Sequence, residues 1–143
     1  MRAEESIVIA RPVNTVFEYL ADFSNIPQWR GAVAESSMKT DGPVGVGTRF
    51  ETVSQFLGRR SASIQEVTDY EPDAKLAYVG DGGPIGAIKA TYLFSAEDGG
   101  TRIDFVGEAN PGGLFKLLEP LIGPLARRQI RADNARLKRV LES

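Results

Sequence analysis

From Thr48 to Ala109 the chain alternates. Phe50, Thr52, Ser54 and Phe56 share one face of an extended segment, as do Ile88, Ala90, Tyr92 and Phe94, and then Ile103 and Phe105. A period of two over runs of this length predicts β-strands with one buried face. The runs are Ala32–Met38, Thr48–Phe56, Ser61–Thr68, Leu76–Val79, Ile88–Ala96 and Thr101–Ala109. Turn-rich stretches separate them: "TDGPVGVG" (Thr40–Gly47), Gly58-Arg59, "DYEPDAK" (Asp69–Lys75), "GDGGPIG" (Gly80–Gly86) and "EDGG" (Glu97–Gly100). The last is a hairpin signal. Short strands joined in this way predict an antiparallel sheet with one face covered.

The pattern differs at both ends. "SIVIA" (Ser6–Ala10) reads as a first strand, and Pro12 stands where it can open a helix without losing a hydrogen bond. Val13, Val16, Phe17 and Leu20 then follow at helical spacing. Ser24 is placed to cap a second, short helix that tolerates Pro27 and closes on Trp29, the single tryptophan. After "NPGG" (Asn110–Gly113) the period becomes helical again through Leu114, Leu117, Leu118, Leu121, Ile122, Leu125, Ile130, Leu137, Val140 and Leu141. Pro120 and Pro124 predict a kink or break in the first third of this helix. The expected fold is α+β: a strongly curved antiparallel sheet of about seven strands wrapped around a long C-terminal helix. Two short helices between the first two strands plug one end. Residues 1–143 form a single domain.

Composition narrows the chemistry. With 42% apolar and 25% charged residues the chain is an ordinary globular protein. At 143 residues it can bury a full core. A net charge of −2 argues against a dedicated nucleic-acid partner. No apolar run reaches transmembrane length and no signal-peptide pattern opens the chain, so the expected location is the cytoplasm. Histidine and cysteine are both absent. That rules out a Ser-His-Asp triad, thiolate chemistry and His- or Cys-ligated zinc. Neither glycine-rich loop has the phosphate-binding pattern, and no carboxylate pair is spaced for glycosidase-type work. No metal and no cofactor is expected. The basic stretch Ala126–Arg139 reads as the solvent face of the C-terminal helix rather than a membrane surface.

Several stretches carry a family likeness: "RPVNTVFEYLADFSNIPQW" (Arg11–Trp29), "DGPVGVGTRF" (Asp41–Phe50), "EVTDYEPDAKLAY" (Glu66–Tyr78), "ATYLFSAEDGGTRIDF" (Ala90–Phe105) and "LLEPLIGPLARRQIRADNARLKRVLE" (Leu117–Glu142). Together they resemble the START-like (SRPBCC) superfamily with the helix-grip fold, which includes Bet v 1-type allergens and polyketide cyclases. The closest likeness is to the bacterial polyketide cyclase/dehydrase-like group. The resemblance implies a cavity between sheet and C-terminal helix, with Trp29 beside one end of it. It brings no catalytic residue, because the matching motifs mark turns, caps and core positions.

Alternation assigns the candidate ligand-binding residues. Phe50, Phe56, Leu76, Phe94 and Phe105 would face inward with Thr52, Ser54, Ser63, Gln65, Tyr78 and Tyr92, joined by Trp29 and by Leu121 and Leu125 of the helix. So many hydrogen-bonding groups on an inner face suit a cavity that holds a polar-edged apolar ligand. Ala90, Gly107 and Ala109 leave room there, and Gly80–Gly86 is placed as a gate. The expected function is binding of a hydrophobic or aromatic small molecule such as a lipid or polyketide. One alternative is a cyclase, aromatase or dehydratase acting largely by orienting its substrate, with Tyr78 or Tyr92 as proton donor. Another is a protein-interaction module with a filled core. Oligomeric state stays open, a homodimer included.

Overall fold

The computed structural model describes residues 2–56, 58–81, 86–110 and 113–143. Its elements run β1 (Arg2–Ile9), α1 (Val13–Ala21), a 3₁₀ turn (Phe23–Asn25), α2 (Ile26–Trp29), β2 (Val33–Met38), β3 (Arg49–Phe56), β4 (Arg59–Glu71), β5 (Lys75–Asp81), β6 (Ala87–Glu97), β7 (Gly100–Ala109), α3 (Leu114–Leu117) and α4 (Glu119–Glu142). The strands form one antiparallel sheet in the order β1-β7-β6-β5-β4-β3-β2. This is the helix-grip arrangement. Among the described residues no helix is long and apolar enough to cross a membrane.

The alternating residues build the core. Phe50, Val67, Leu76, Tyr78, Tyr92, Phe94, Ile103 and Phe105 are all buried on the inner face. Removing such a side chain from water contributes roughly 1.5–3 kcal/mol each. The β6–β7 hairpin turns on Asp98 and Gly99, at φ +50° and +79°. A two-residue turn with positive φ at both positions matches the twist of the strands it joins. α1 seals one end: Phe17 sets its ring edge-on against Tyr70 and Phe94, with centroids 5.4 and 5.2 Å away.

Three local expectations change. β1 begins at Arg2 rather than Ser6, because each of its residues finds a partner on β7, from Arg2 opposite Glu108 to Ile9 opposite Thr101. Ser24 does not cap the second helix: it lies inside the 3₁₀ turn, which Asp22 caps by accepting from the Ser24 backbone N–H and hydroxyl, and α2 follows from Asn25 with no side-chain cap. Pro120 fits in the first turn of α4, after a break at Leu118, and the helix continues through Pro124.

The C-terminal helix departs most from its predicted apolar stripe. The buried residues of α4 are Asp133, Asn134, Leu137 and Leu141, and the helix packs against β1 and α2. Leu117, Leu121 and Leu125 are 77%, 69% and 67% exposed. Geometry explains this. At about 100° per residue, Leu125 is turned about 120° from Leu137, and Leu121 about 160°. Helical spacing correctly marked α4 as a helix, but two of its apolar sets lie on different faces. Polar contacts fix the rotation: Arg131 donates to Glu5 at 2.8 Å, Lys138 to the Val8 carbonyl at 2.6 Å, and the Ala10 N–H to Glu142 at 2.8 Å.

Candidate ligand-binding site

The site begins with α2, a single turn that pushes Trp29 inward. Trp29 is 3% exposed and meets Tyr92 edge-on at 6.3 Å. Tyr78 of β5 and Tyr92 of β6 lie diagonally across neighbouring strands, since Tyr78 pairs with Ala90 and Leu76 with Tyr92. Their hydroxyls are 3.2 Å apart, so one donates to the other. An aromatic frame holds them. Phe23 stacks on Phe50 at 4.0 Å, Phe50 meets Tyr78 at 5.1 Å, and Phe105 meets Tyr92 at 5.0 Å.

Arg30 follows Trp29 directly and turns its guanidinium toward this pair, 6.0 Å from the centre of the Trp29 ring. Burial disfavours the cation. The oxygens of Tyr78, Tyr92 and Asp133 and a hydrogen bond to Tyr78 outweigh that, leaving the Arg30 pKa above the ordinary arginine value. Burial pushes the Tyr92 phenol well above its usual value, reinforced by Tyr78 and opposed by Arg30. Tyr92 therefore stays a neutral donor. Asp133 of α4 is buried and accepts from the Gly31 N–H at 3.0 Å and from the Gln129 amide at 2.9 Å. This ties the exit of α2 to the helix. A Cβ at Gly31 would lie 2.8 Å from an Arg136 guanidinium nitrogen, so that flexible side chain would have to swing aside.

Between these groups lies a cavity of about 20 Å³, walled by Trp29, Phe105 and Ile130, with Arg30, Tyr92, Asp133 and Asn134 as its polar rim. That volume holds about one water molecule. The first half of α4 contributes no buried residue. Ala126 is half-buried, and a Cβ added at Gly123 would meet nothing within 4 Å. By the same helical arithmetic both face the side of Leu137, about 20° and 40° from it. On β7, Gly107 is half-buried, and a Cβ there would lie 3.1 Å from the Phe105 ring and 3.9 Å from Ile130 of α4. A larger groove of about 430 Å³ lies between Arg49, Ile64, Glu66, Val79 and Asp81. It is on the outer face of the sheet, where Arg49 and Glu66 pair with each other at 3.4 Å. It shares no side chain with the polar cluster, so the inner site is the chemically better candidate.

The residues expected from the sequence divide into three groups. Trp29, Phe50, Thr52, Leu76, Tyr78, Tyr92, Phe94 and Phe105 come together inside. Ser54, Ser63 and Gln65 are half-buried on the same face. Ser63 donates to the Asp81 carbonyl at 2.6 Å, the Gln65 amide donates to Ser63 at 2.9 Å, and the Gln65 side chain occupies the space a Cβ on Gly80 would need. Leu121 and Leu125 are not brought to the cluster; they point to solvent from the opposite face of α4. Phe56 belongs to β3 by its backbone, and its side chain lies outside the described residues, as do residues 82–85 of the expected gate. Sequence reading missed Arg30, Asp133 and Asn134. Asp133 did leave a signal: it precedes Leu137 and Leu141 at spacings of four along one face.

The sequence profile for "polyketide cyclase / dehydrase and lipid transport" matches residues 1–142. The chain belongs to this family. An uncharacterized 17.2 kDa protein of Streptomyces lincolnensis is 23% identical over 141 residues, covering 99% of this chain and 89% of that one. A solved structure from Thermus thermophilus superposes with a TM-score of 0.81 at 16% identity, covering 97% of this chain and 95% of the other. An aromatase/cyclase from a Streptomyces species gives 0.76 at 15% identity, covering 99% and 93%. At these identities the structural likenesses establish the shared fold. For this polyketide cyclase/lipid transport family member, activity has to be argued from Arg30, Tyr78 and Tyr92 themselves.

Proposed function

We propose that the protein binds a hydrophobic or aromatic small molecule between the inner face of the sheet and the first half of α4. One observation carries the reading: the hydroxyl pair of Tyr78 and Tyr92, with Arg30 beside it, lies at the floor of an otherwise aromatic interior. Polar groups buried at the end of an apolar surface are the usual means of orienting an apolar ligand. Family membership points the same way. The resting cavity admits little more than a water, so the ligand enters by separating the first half of α4 from the sheet. That half contributes no buried residue, so displacing it sacrifices little of the core.

Native mass spectrometry of gently purified protein, followed by organic extraction, tests the reading. A reproducible adduct with an apolar extracted compound is the expected result. Bare protein, together with no change in Trp29 fluorescence on titration with apolar ligands, would refute it and favour a filled-core interaction module.

A second reading is favoured by Arg30 itself. A cation beside two phenols can stabilise a developing enolate while Tyr92 supplies a proton, which suits a cyclase or dehydratase working without histidine. Turnover of a poly-β-ketone by the wild-type protein, lost in Tyr92→Phe with binding retained, distinguishes an enzyme from a carrier.

A further inference from the structure

Arg30 is the charge in this molecule that its surroundings leave least explained. Among the described residues, the ion pairs involve arginines and lysines whose side chains are at least 32% exposed, and none includes Arg30. Asp133 is close enough to favour the cation, but both contacts to its Oδ1 come from elsewhere, from Gly31 and Gln129. The Trp29 ring offers a cation–π contact, which attracts a positive charge without neutralising it. Arg30 is half-buried, and a guanidinium partly withdrawn from water without an anion in contact gains when an anion arrives. Its planar fork presents two parallel N–H donors, the geometry that a carboxylate accepts.

We propose that the ligand of this site carries a carboxylate, received by Arg30 and the Tyr92 hydroxyl in the cavity bounded by Trp29, Asn134 and Ile130, with its apolar body lying over Phe105 and Gly107 beneath Gly123 and Ala126 of α4. The inference rests on the reading of the inner face as a ligand site and adds the class of ligand. The dimensions agree with it. About 20 Å³ is the room of one water, so only the carboxylate end of a ligand enters here, and it does so as the first half of α4 gives way. The apolar body then leaves the cavity past the Phe105 ring toward α4, where a Cβ added at Gly123 would meet nothing within 4 Å. Asp133 lines the same cavity, but its Oδ1 is held by Gly31 and Gln129, so the incoming carboxylate meets Arg30 without displacing an existing ion pair.

The experiment compares dodecanoate with 1-dodecanol, below their aggregation concentrations, by Trp29 fluorescence and by native mass spectrometry. Wild type should bind dodecanoate at least about tenfold more tightly than the alcohol, the scale of one charge-assisted hydrogen-bonded contact. In Arg30→Gln the two ligands should bind within about twofold of each other, at the alcohol's wild-type affinity; Arg30→Lys should fall between. Circular dichroism checks that each variant is folded. Equal affinity of wild type for both ligands would overturn the inference while leaving the ligand site standing. So would retention of the tenfold preference in folded Arg30→Gln. Absence of binding by either ligand to wild type would overturn the ligand site and the inference together. The comparison on wild type decides the matter even if both variants fail to fold.

Discussion

The contact between Asp133 and Gly31 should be worth far more than its single hydrogen bond suggests from the surface. Asp133 is 6% exposed, and its Oδ1 receives the Gly31 N–H and the Gln129 amide. Truncation by Asp133→Ala leaves a part-buried backbone N–H with no acceptor and removes the carboxylate nearest Arg30. Gln129 is exposed and can turn to water, so its loss adds little. A hydrogen bond to a charged group is worth about 1.5–3 kcal/mol, and the orphaned donor makes the upper half of that range the expectation, about 2–3 kcal/mol. For a domain of this size that lowers the melting temperature by about 4–12 °C. Urea denaturation followed by circular dichroism measures it, with an unchanged m-value showing that stability alone has moved. Asp133→Asn keeps an oxygen in place and should remain within about 1 kcal/mol of wild type. If Asp133→Ala shifts stability by less than about 0.5 kcal/mol, the tie between α2 and α4 is not a structural contact of consequence.

Three other outcomes follow from the same coordinates. Leu137→Ala, at 1% exposure, should cost about 2–5 kcal/mol, whereas Leu125→Ala should stay within about 0.5 kcal/mol; paired urea melts of the two variants test the rotation of α4. Gly99→Val places a β-branched residue at φ +79° and should destabilise by about 1–2 kcal/mol or more, while Gly45→Ala, with open space around its Cβ, should not. The Asp104 carboxyl is held below its usual pKa by the Ser6 hydroxyl and by Arg102. Its folded-state value is depressed, so its contribution to stability is complete above the unfolded value of about 3.9 and is lost as pH falls through the folded one. Asp104→Asn should therefore flatten the pH dependence of stability below about pH 4, and an unchanged acid limb would contradict the assignment.

Strand content and facing were legible because a sheet with one buried face writes its geometry into every second residue. Phe50, Tyr78, Tyr92 and Phe105 were assigned inward by alternation alone, and "EDGG" marked the β6–β7 turn. The rotation of α4 was not legible. Leu121, Leu125 and Leu137 are all apolar at helical spacings, and nothing local says which set meets the sheet; Glu5 and the Val8 carbonyl decide it from a hundred or more residues away. Arg30 escaped notice for a different reason. It follows a helix of a single turn, too short to have a period, so its inward aim depends on where Trp29 is anchored. Asp133 was absorbed into a basic, solvent-facing stretch because its acceptor role depends on Gly31, which approaches only in the folded chain. The size of the cavity depends on three-dimensional packing and has no counterpart in a one-dimensional pattern.

The place of β1 in the sheet has a consequence for how the chain is made. From β3 to β7 every strand pairs with the one synthesised just before it, so that part of the sheet can grow hairpin by hairpin. β1 emerges first and pairs only with β7. About a hundred residues separate the partners, which at ribosomal rates of roughly 5–20 residues per second leaves β1 waiting for about 5–20 s. During that interval Ile7 and Ile9 have no sheet to join, and the edge of β7 stays uncapped once it forms. α4, which lies across β1, must come later still. The last event of folding is then the docking of β1 and α4 together, a long-range closure that sets a slow step for a protein whose other pairings are local. A chaperone that shelters β1 during that interval would cover Ile7 and Ile9 until β7 is there to pair with them.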